Sequence, residues 1–316
     1  MEPSIAAVGA GAWGKNIVRT LHQMGALHSI VEPSPALRDA ASAACPGVPA
    51  VTHISEILGN DAIRAVTLAT PAPTHHSLAT ACLLAGKDVF VEKPMTLTAA
   101  EAEDLVTTAD QIGRVLMTGH LLLYKPAVVF LRDWLAAGHL GRIFSYHQER
   151  MKLGKARAVE NALWSLGVHD VAALLFIANA TPSHVSFSGH CGLQPGIEDD
   201  TYLHMTFPDG RAAHLHNSWL WPEDRRGLRI IGELGMLSYD EKSESVTLHR
   251  KTIDHALNHS DAGSELLFSA PQDFQALRAE LEHFTDCINS RATPRSCGRN
   301  GLDVIRVLER AAAPPA

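Results

Sequence analysis

The chain has 316 residues, 46% of them hydrophobic and 19% charged, and a formal net charge of −7. That length allows two domains and a large core, and the negative balance argues against a general nucleic-acid surface. No stretch nears the roughly 18 apolar residues of a membrane helix, the N-terminus lacks a basic leader, and five scattered cysteines without a C-x-x-C pair suit a reducing compartment. We read a cytoplasmic protein with no membrane or nucleic-acid partner.

Ser4 to Val8 is a short apolar strand, followed by Gly9-Ala10-Gly11-Ala12-Trp13-Gly14 and a helical run to Met24. This is G-x-G-x-x-G in its productive context, after a strand and opening a helix. Gly9 permits the tight turn, Gly11 lets backbone approach a pyrophosphate, and Gly14 lets the helix pack closely on the sheet. The helix N-terminus adds free N–H groups and a favourable dipole. A second strand, Leu27 to Val31, ends in Glu32, 18 residues past Gly14. An acidic side chain there accepts hydrogen bonds from ribose hydroxyls and repels a 2′-phosphate. The competing reading is a solvated turn glutamate before Pro33. Arg38, on the next helix, offsets part of that repulsion, so NAD is favoured over NADP without NADP being excluded.

Arg64 to Ala69 is a further strand, and its exit loop, Thr70-Pro71-Ala72-Pro73-Thr74-His75-His76, cannot continue a central strand because of its prolines. Adjacent histidines rarely point at one ion, and no supporting ligand lies nearby, so no metal is expected there. A helix from about Ser77 to Ala85 follows. Asp88 to Val91 then reads as a buried strand whose polarity switches to Glu92-Lys93-Pro94 at its carboxyl end. A lysine there sits where open α/β sheets bind ligands; the bland alternative is a snorkelling lysine. Thr98 with Glu101 makes a capping box for a helix to Gly113. A strand from Val115 to Thr118 completes a β-α-β-α alternation, which predicts a doubly wound parallel sheet.

The stretches Val8 to Gly14, Thr70-Pro-Ala-Pro-Thr-His75 and Ala85-Gly-Lys-Asp-Val-Phe-Val-Glu-Lys-Pro94 resemble the Gfo/Idh/MocA family of nicotinamide-dependent oxidoreductases. By that resemblance Lys93 touches both the nicotinamide end of the cofactor and the reacting hydroxyl. Ala12, Trp13, Thr70, Pro71, His75 and Glu92 line the cofactor cleft. The substrates implied are sugars, cyclitols and sugar nucleotides.

We place the domain boundary near residue 120, giving a Rossmann domain at 1–120 and a substrate-binding domain at 121–316. Helices are expected at about Pro126 to Ala137 and Trp164 to Ala178, with a strand from Arg142 to Lys152 and a polar loop from Lys155 to Asn161. The second helix is apolar on most faces, and His169 and Asp170 are polar intrusions into it. From Ser183 to about Arg250 strand follows strand, with Pro208-Asp209-Gly210 as a hairpin signal. Asp199 and Asp200 read as solvated carboxylates pointing opposite ways. His204, His214 and His216 read as an amphipathic sheet face, with no metal expected. Residues 251–270 read as a surface loop, and two helices, about Gln272 to Asn289 and Gly301 to Ala312, close the chain. The fold class expected is α/β, with a C-terminal α+β domain built on a mostly antiparallel open sheet.

Within the family, Asn161-Ala-Leu-Trp-Ser-Leu-Gly-Val-His-Asp170 is closest to the branch acting on nucleotide-linked or lipopolysaccharide-precursor sugars. One position departs: Ser165 stands where many members carry an aspartate four residues before the histidine. The resemblance implies hydride transfer between NAD and a secondary sugar hydroxyl, and self-assembly through the C-terminal sheet. Imidazole suits the base, its unperturbed pKa of about 6.5 lying near working pH, so His169 is that candidate, against a hydrogen-bonded core histidine. Lys93 stabilises the developing alkoxide. Tyr124, Arg150 and Ser165 are candidate substrate contacts. Two other classes remain open: a glycosidase using NAD transiently, and a cofactor-binding sensor or scaffold without turnover, which Ser165 favours.

Overall fold

The structure, a computed structural model, describes residues 4–312. The chain opens with β1 (Ile5–Val8), α1 (Gly14–Gln23), β2 (Leu27–Val31), α2 (Pro35–Ala44), β3 (Ala50–Val51) and α3 (Ser55–Leu58). Then come β4 (Ala65–Leu68), α4 (His75–Leu84), β5 (Asp88–Glu92), α5 (Ala99–Ile112) and β6 (Leu116–Gly119). After a 3₁₀ turn at Leu121–Tyr124 the chain forms α6 (Pro126–Ala136), β7 (Ile143–Met151), a π turn (Leu163–Gly167) and α7 (Val168–Ala178). Seven strands follow: β8 (His184–His190), β9 (Asp200–Thr206), β10 (Ala212–Ser218), β11 (Arg225–Gly232), β12 (Gly235–Asp240), β13 (Ser245–Ile253) and β14 (His259–Ser269). Helices α8 (Ala276–Ser290) and α9 (Gly298–Ala312) close it.

The chain divides into two compact units. Among the described residues, one holds 4–121 with Gln275–Arg306; the other holds Leu122–Phe274 and 307–312. Helix α8 and α9 as far as Arg306 group with the first unit. The cause is packing: the rings of Phe284 in α8 and Phe90 in β5 meet tilted, centroids 5.7 Å apart, and Arg291 pairs with both carboxylate oxygens of Asp88.

The first unit is a six-stranded sheet in the order β3-β2-β1-β4-β5-β6, parallel throughout. Its central strands are buried on both faces, as Ile5, Val66, Val89 and Phe90 illustrate, which is why they read as continuous apolar runs. The order reverses at β1, the switch point where such sheets bind ligands. The capping box forms as expected: Glu101 N–H donates to Thr98 Oγ1 at 3.2 Å and Glu101 Oε2 accepts from Thr98 N–H at 3.3 Å.

The second unit is an eight-stranded sheet in the order β14-β13-β12-β11-β7-β10-β9-β8. Only β7 and β10 pair in parallel; the other neighbours run antiparallel. Tyr146, Leu215 and Leu237 point into its core. Residues 251–270 are not a loop. They complete β13 and form β14, paired from Ser245↔Ser269 to Ile253↔His259. Most of β14 is exposed on both faces, so it lacks the apolar alternation that marks a half-buried strand. The Trp164–Ala178 helix also differs, because Leu163–Gly167 winds as a π turn before α7 begins. Asp199 is not solvated: it is fully buried and accepts from the N–H groups of Gly192 and Leu193 at 2.8 and 2.7 Å.

Candidate active site

The glycine loop is shaped by two close approaches and one opening. Gly9 has φ of +91°, and a Cβ there would lie 2.6 Å from the Ala69 carbonyl oxygen. At Gly14 a Cβ would run into the Gly9 carbonyl. At Gly11 it would meet no protein atom within 4 Å, so internal packing does not demand glycine there, whereas a phosphate lying on the backbone does. Ala12 and Trp13 are exposed beside it, and the first turn of α1 carries no acidic residue to neutralise its dipole. These residues fit a dinucleotide.

Glu32 is buried at the end of β2. Its Oε2 accepts from Ala10 N–H at 2.7 Å and its Oε1 from Ser34 N–H at 2.9 Å. A carboxylate has about four acceptor positions, so it braces the glycine loop and still has capacity for ligand hydroxyls. Arg38 donates to the carbonyls of Glu32 and Pro33 at 2.9 and 3.3 Å, which holds its guanidinium at the β2 exit.

Lys93 follows β5 across a cis peptide bond to Pro94. Glu92 before it is buried, accepting from Trp13 Nε1 at 2.6 Å and from Lys93 N–H at 3.1 Å. The β4 exit loop is tied to the same place. His75 is 1% exposed, with Nδ1 2.8 Å from the Pro94 carbonyl oxygen and Nε2 2.9 Å from that of Thr70. Burial lowers its pKa despite those carbonyls, so a neutral ring donates to one of them at a time. Its nitrogens serve the two loops, so His75 braces the exit of β4 against the exit of β5. Thr70 Oγ1 meets Thr74 Oγ1 at 2.7 Å, and Pro71 leads into the 3₁₀ turn Ala72–Thr74.

Three buried titratable groups surround this edge of the first unit. Burial pushes the Glu92 carboxyl up to about 7, against the hydrogen bonds and the Lys93 charge that favour its anion. Glu280 of α8 is raised well above the carboxylate range by burial and then by the Glu92 charge. Burial, and then the Lys93 charge, push His120 down to about 3. The sequence reading did not single out Glu280 or His120. The signal available was a glutamate inside the buried stripe of α8, beside Leu281 and Phe284, and a histidine immediately after β6.

In the second unit, Asn161 opens the π turn, its Oδ1 accepting from Trp164 N–H at 3.0 Å. Ser165 lies within the turn, buried, and accepts from Trp219 Nε1 at 3.1 Å. His169 follows in the first turn of α7, half-buried, and Asp170 beside it is fully buried. Single π turns inside helices recur at functional sites. Asp170 accepts from Arg150 Nε at 2.7 Å, Gln148 Nε2 at 3.1 Å and Asn217 Nδ2 at 2.7 Å. Arg150 commits its other two nitrogens to Glu241. Burial alone would lower the Arg150 pKa, and the charges of Asp170 and Glu241 outweigh it and raise it. Through Asp170 it is tied to the first turn of α7. Tyr124 is buried in the 3₁₀ turn at the start of this unit. On the sheet's outer face, His204 and His214 meet Nδ1 to Nδ1 at 2.7 Å, and His216 Nε2 lies 2.8 Å from Asp200 Oδ1.

A parallel sheet with a glycine loop, a buried carboxylate after the second strand and a lysine at the carboxyl edge is the frame of a dinucleotide-binding oxidoreductase. Residues 4–120 match the GFO_IDH_MocA family, described as an oxidoreductase family with an NAD-binding Rossmann fold, and residues 128–238 match the GFO/IDH/MocA C-terminal domain. The chain belongs to this family. It is 26% identical over 264 residues to 1,5-anhydro-D-fructose reductase of Ensifer adhaerens, covering 80% of this chain and 77% of that one. It is 28% identical over 250 residues to UDP-N-acetylglucosamine 3-dehydrogenase of Acidithiobacillus ferrooxidans, covering 79% and 77%. A solved structure of UDP-N-acetylglucosamine 3-dehydrogenase from A. ferrooxidans has the same fold, with a TM-score of 0.86 at 23% identity over 99% of this chain and 98% of that one. Among the described residues no helix is long and apolar enough to cross a membrane.

Proposed function

We propose that this protein transfers a hydride between NAD and a secondary hydroxyl of a sugar or sugar nucleotide. The observation that carries the reading is the Trp13–Glu92 hydrogen bond, which builds the glycine loop and the Lys93 strand end into one sheet edge. Glu32, on the same edge, favours NAD over NADP because its carboxylate suits free ribose hydroxyls and opposes a phosphate. The sugar class draws support from relatives that are named as a sugar reductase and a sugar-nucleotide dehydrogenase.

Bound NAD would supply the hydride acceptor. Lys93 donates to the substrate oxygen as negative charge develops on it, and His169 in its neutral form takes the hydroxyl proton. The reading carries with it a cytoplasmic location and self-assembly through the eight-stranded sheet, which light scattering on the purified protein tests.

The deciding experiment presents NAD with free sugars and sugar nucleotides and follows absorbance of the reduced cofactor. Reduction with one of them supports the dehydrogenase. A co-purifying nucleotide with no turnover on any would favour the sensor or scaffold reading, for which Ser165 speaks. Glycoside cleavage without net NADH would favour the glycosidase.

A further inference from the structure

His120 follows β6 at the carboxyl edge of the parallel sheet, one strand from Lys93. Its side chain is 2% exposed, and neither ring nitrogen has a hydrogen-bond partner within the protein. Buried polar groups are paired with few exceptions, because an unpaired donor or acceptor gives up water without compensation. An imidazole that forgoes both bonds within the protein keeps its full capacity for a partner from outside the chain.

Two observations narrow that partner. The ring is neutral near pH 7, since burial and the Lys93 charge hold its pKa near 3, so it offers one N–H and one bare nitrogen. The complement is a neutral group that can both accept and donate, such as a primary amide. The second observation is position. Glu32 at the end of β2 and the glycine loop at the end of β1 fix where adenosine and pyrophosphate bind. In the order β3-β2-β1-β4-β5-β6, His120 lies three strands beyond β1, roughly 14 Å across the sheet. That is the side away from the adenosine.

We propose that His120 binds the carboxamide of the nicotinamide ring and holds that ring beside Lys93. The proposal rests on the dinucleotide oxidoreductase reading. It makes His120 a cofactor-binding residue for the reacting half of NAD, distinct from the residues that hold its adenosine half.

ADP-ribose carries the adenosine and pyrophosphate without the nicotinamide, so it separates the two halves. The affinities of NADH and ADP-ribose are measured by calorimetry for wild type, His120→Phe and His120→Asn. His120→Phe should weaken NADH about tenfold and leave ADP-ribose unchanged; His120→Asn, which keeps a donor and an acceptor, should recover part of the loss. Equal weakening of both ligands would make the role structural and overturn the proposal. So would unchanged NADH affinity, with or without a raised substrate KM. Nitrogen spectra of ¹⁵N-histidine wild type provide a check that needs no variant. One histidine that does not titrate across the neutral range should shift with NADH and not with ADP-ribose, and the absence of such a shift overturns the proposal. A wild type that binds neither ligand would instead remove the dinucleotide reading itself.

Discussion

The indole Nε1 of Trp13 donates a 2.6 Å hydrogen bond to Oε1 of Glu92, so the loop expected to cradle phosphate is fastened to the residue before Lys93. The indole itself is 42% exposed, so its replacement by phenylalanine removes the bond with little loss of buried area. A hydrogen bond to a carboxyl that is half ionised near pH 7 is worth about 1–3 kcal/mol. Part of that should appear as preorganisation, and we expect Trp13→Phe to weaken NADH binding about 5- to 30-fold in a fluorescence titration. Unchanged affinity would show that the bond does not preorganise the loop.

Glu92 should make stability depend on pH. Its folded-state pKa of about 7 lies above the usual carboxylate value of about 4.3, so the folded chain holds this proton more tightly than the unfolded chain. The stabilising contribution is complete below about pH 4 and is lost as pH rises through about 7. Glu92→Gln cannot ionise and should escape that loss. Thermal melts of both proteins should therefore diverge between about pH 5 and 8, the wild type falling behind by on the order of 1–3 kcal/mol. Melting curves that stay parallel would mean the ionised form is not penalised.

Glu32→Ala removes the ribose acceptor and, with it, the brace on Ala10 and Ser34. Both cofactors should bind less well, NAD more so. The ratio of kcat/KM for NAD to that for NADP should fall by about tenfold or more. A wild type that already prefers NADP, or a ratio untouched by the substitution, contradicts the assignment.

Lys93→Met should separate binding from turnover. The groups expected to hold most of the dinucleotide, Gly9 to Gly14 and Glu32, follow β1 and β2, whereas the ammonium acts at the reacting oxygen. The rate should fall on the order of 100- to 1,000-fold while NADH titrations change little. Near-normal kcat would remove Lys93 from the chemistry.

With His169 as base, kcat/KM for oxidation should rise with pH through one ionisation, because imidazolium cannot accept a proton. His169→Asn should abolish that limb and most of the rate. Ser165→Asp should move the limb to higher pH, since a nearby negative charge favours the imidazolium. A fully active His169→Asn would make another group the base.

What could be read beforehand was what backbone demands impose locally. Gly9 and Gly14 are dictated by close approach, the Thr98–Glu101 box by helix ends, and the β9–β10 hairpin by Gly210 with φ of +87°. The relations that needed the fold are those between residues far apart in the chain. No local pattern says that His75 faces the Pro94 carbonyl, that Glu280 is coupled to Glu92, or that Arg150 reaches Asp170 and Glu241. The π turn escaped for another reason: in a stretch apolar on most faces, one extra residue per turn leaves the hydrophobic period unchanged to the eye. β14 escaped because a strand wet on both sides carries no period at all.

The buried set of Asp170, Arg150 and Glu241 constrains how this sequence can drift. Loss of one member strands a charge in the interior at a cost of about 3–5 kcal/mol, whereas exchange of the whole set for apolar residues of similar size is often neutral. Against a total stability of roughly 5–15 kcal/mol, a lineage that loses one charge stands near the edge of folding until the others follow. The three positions should therefore vary as a block across descendants of this chain. Redesign around α7 that alters Arg150 alone would then show up as poor expression before any change in substrate preference could be read.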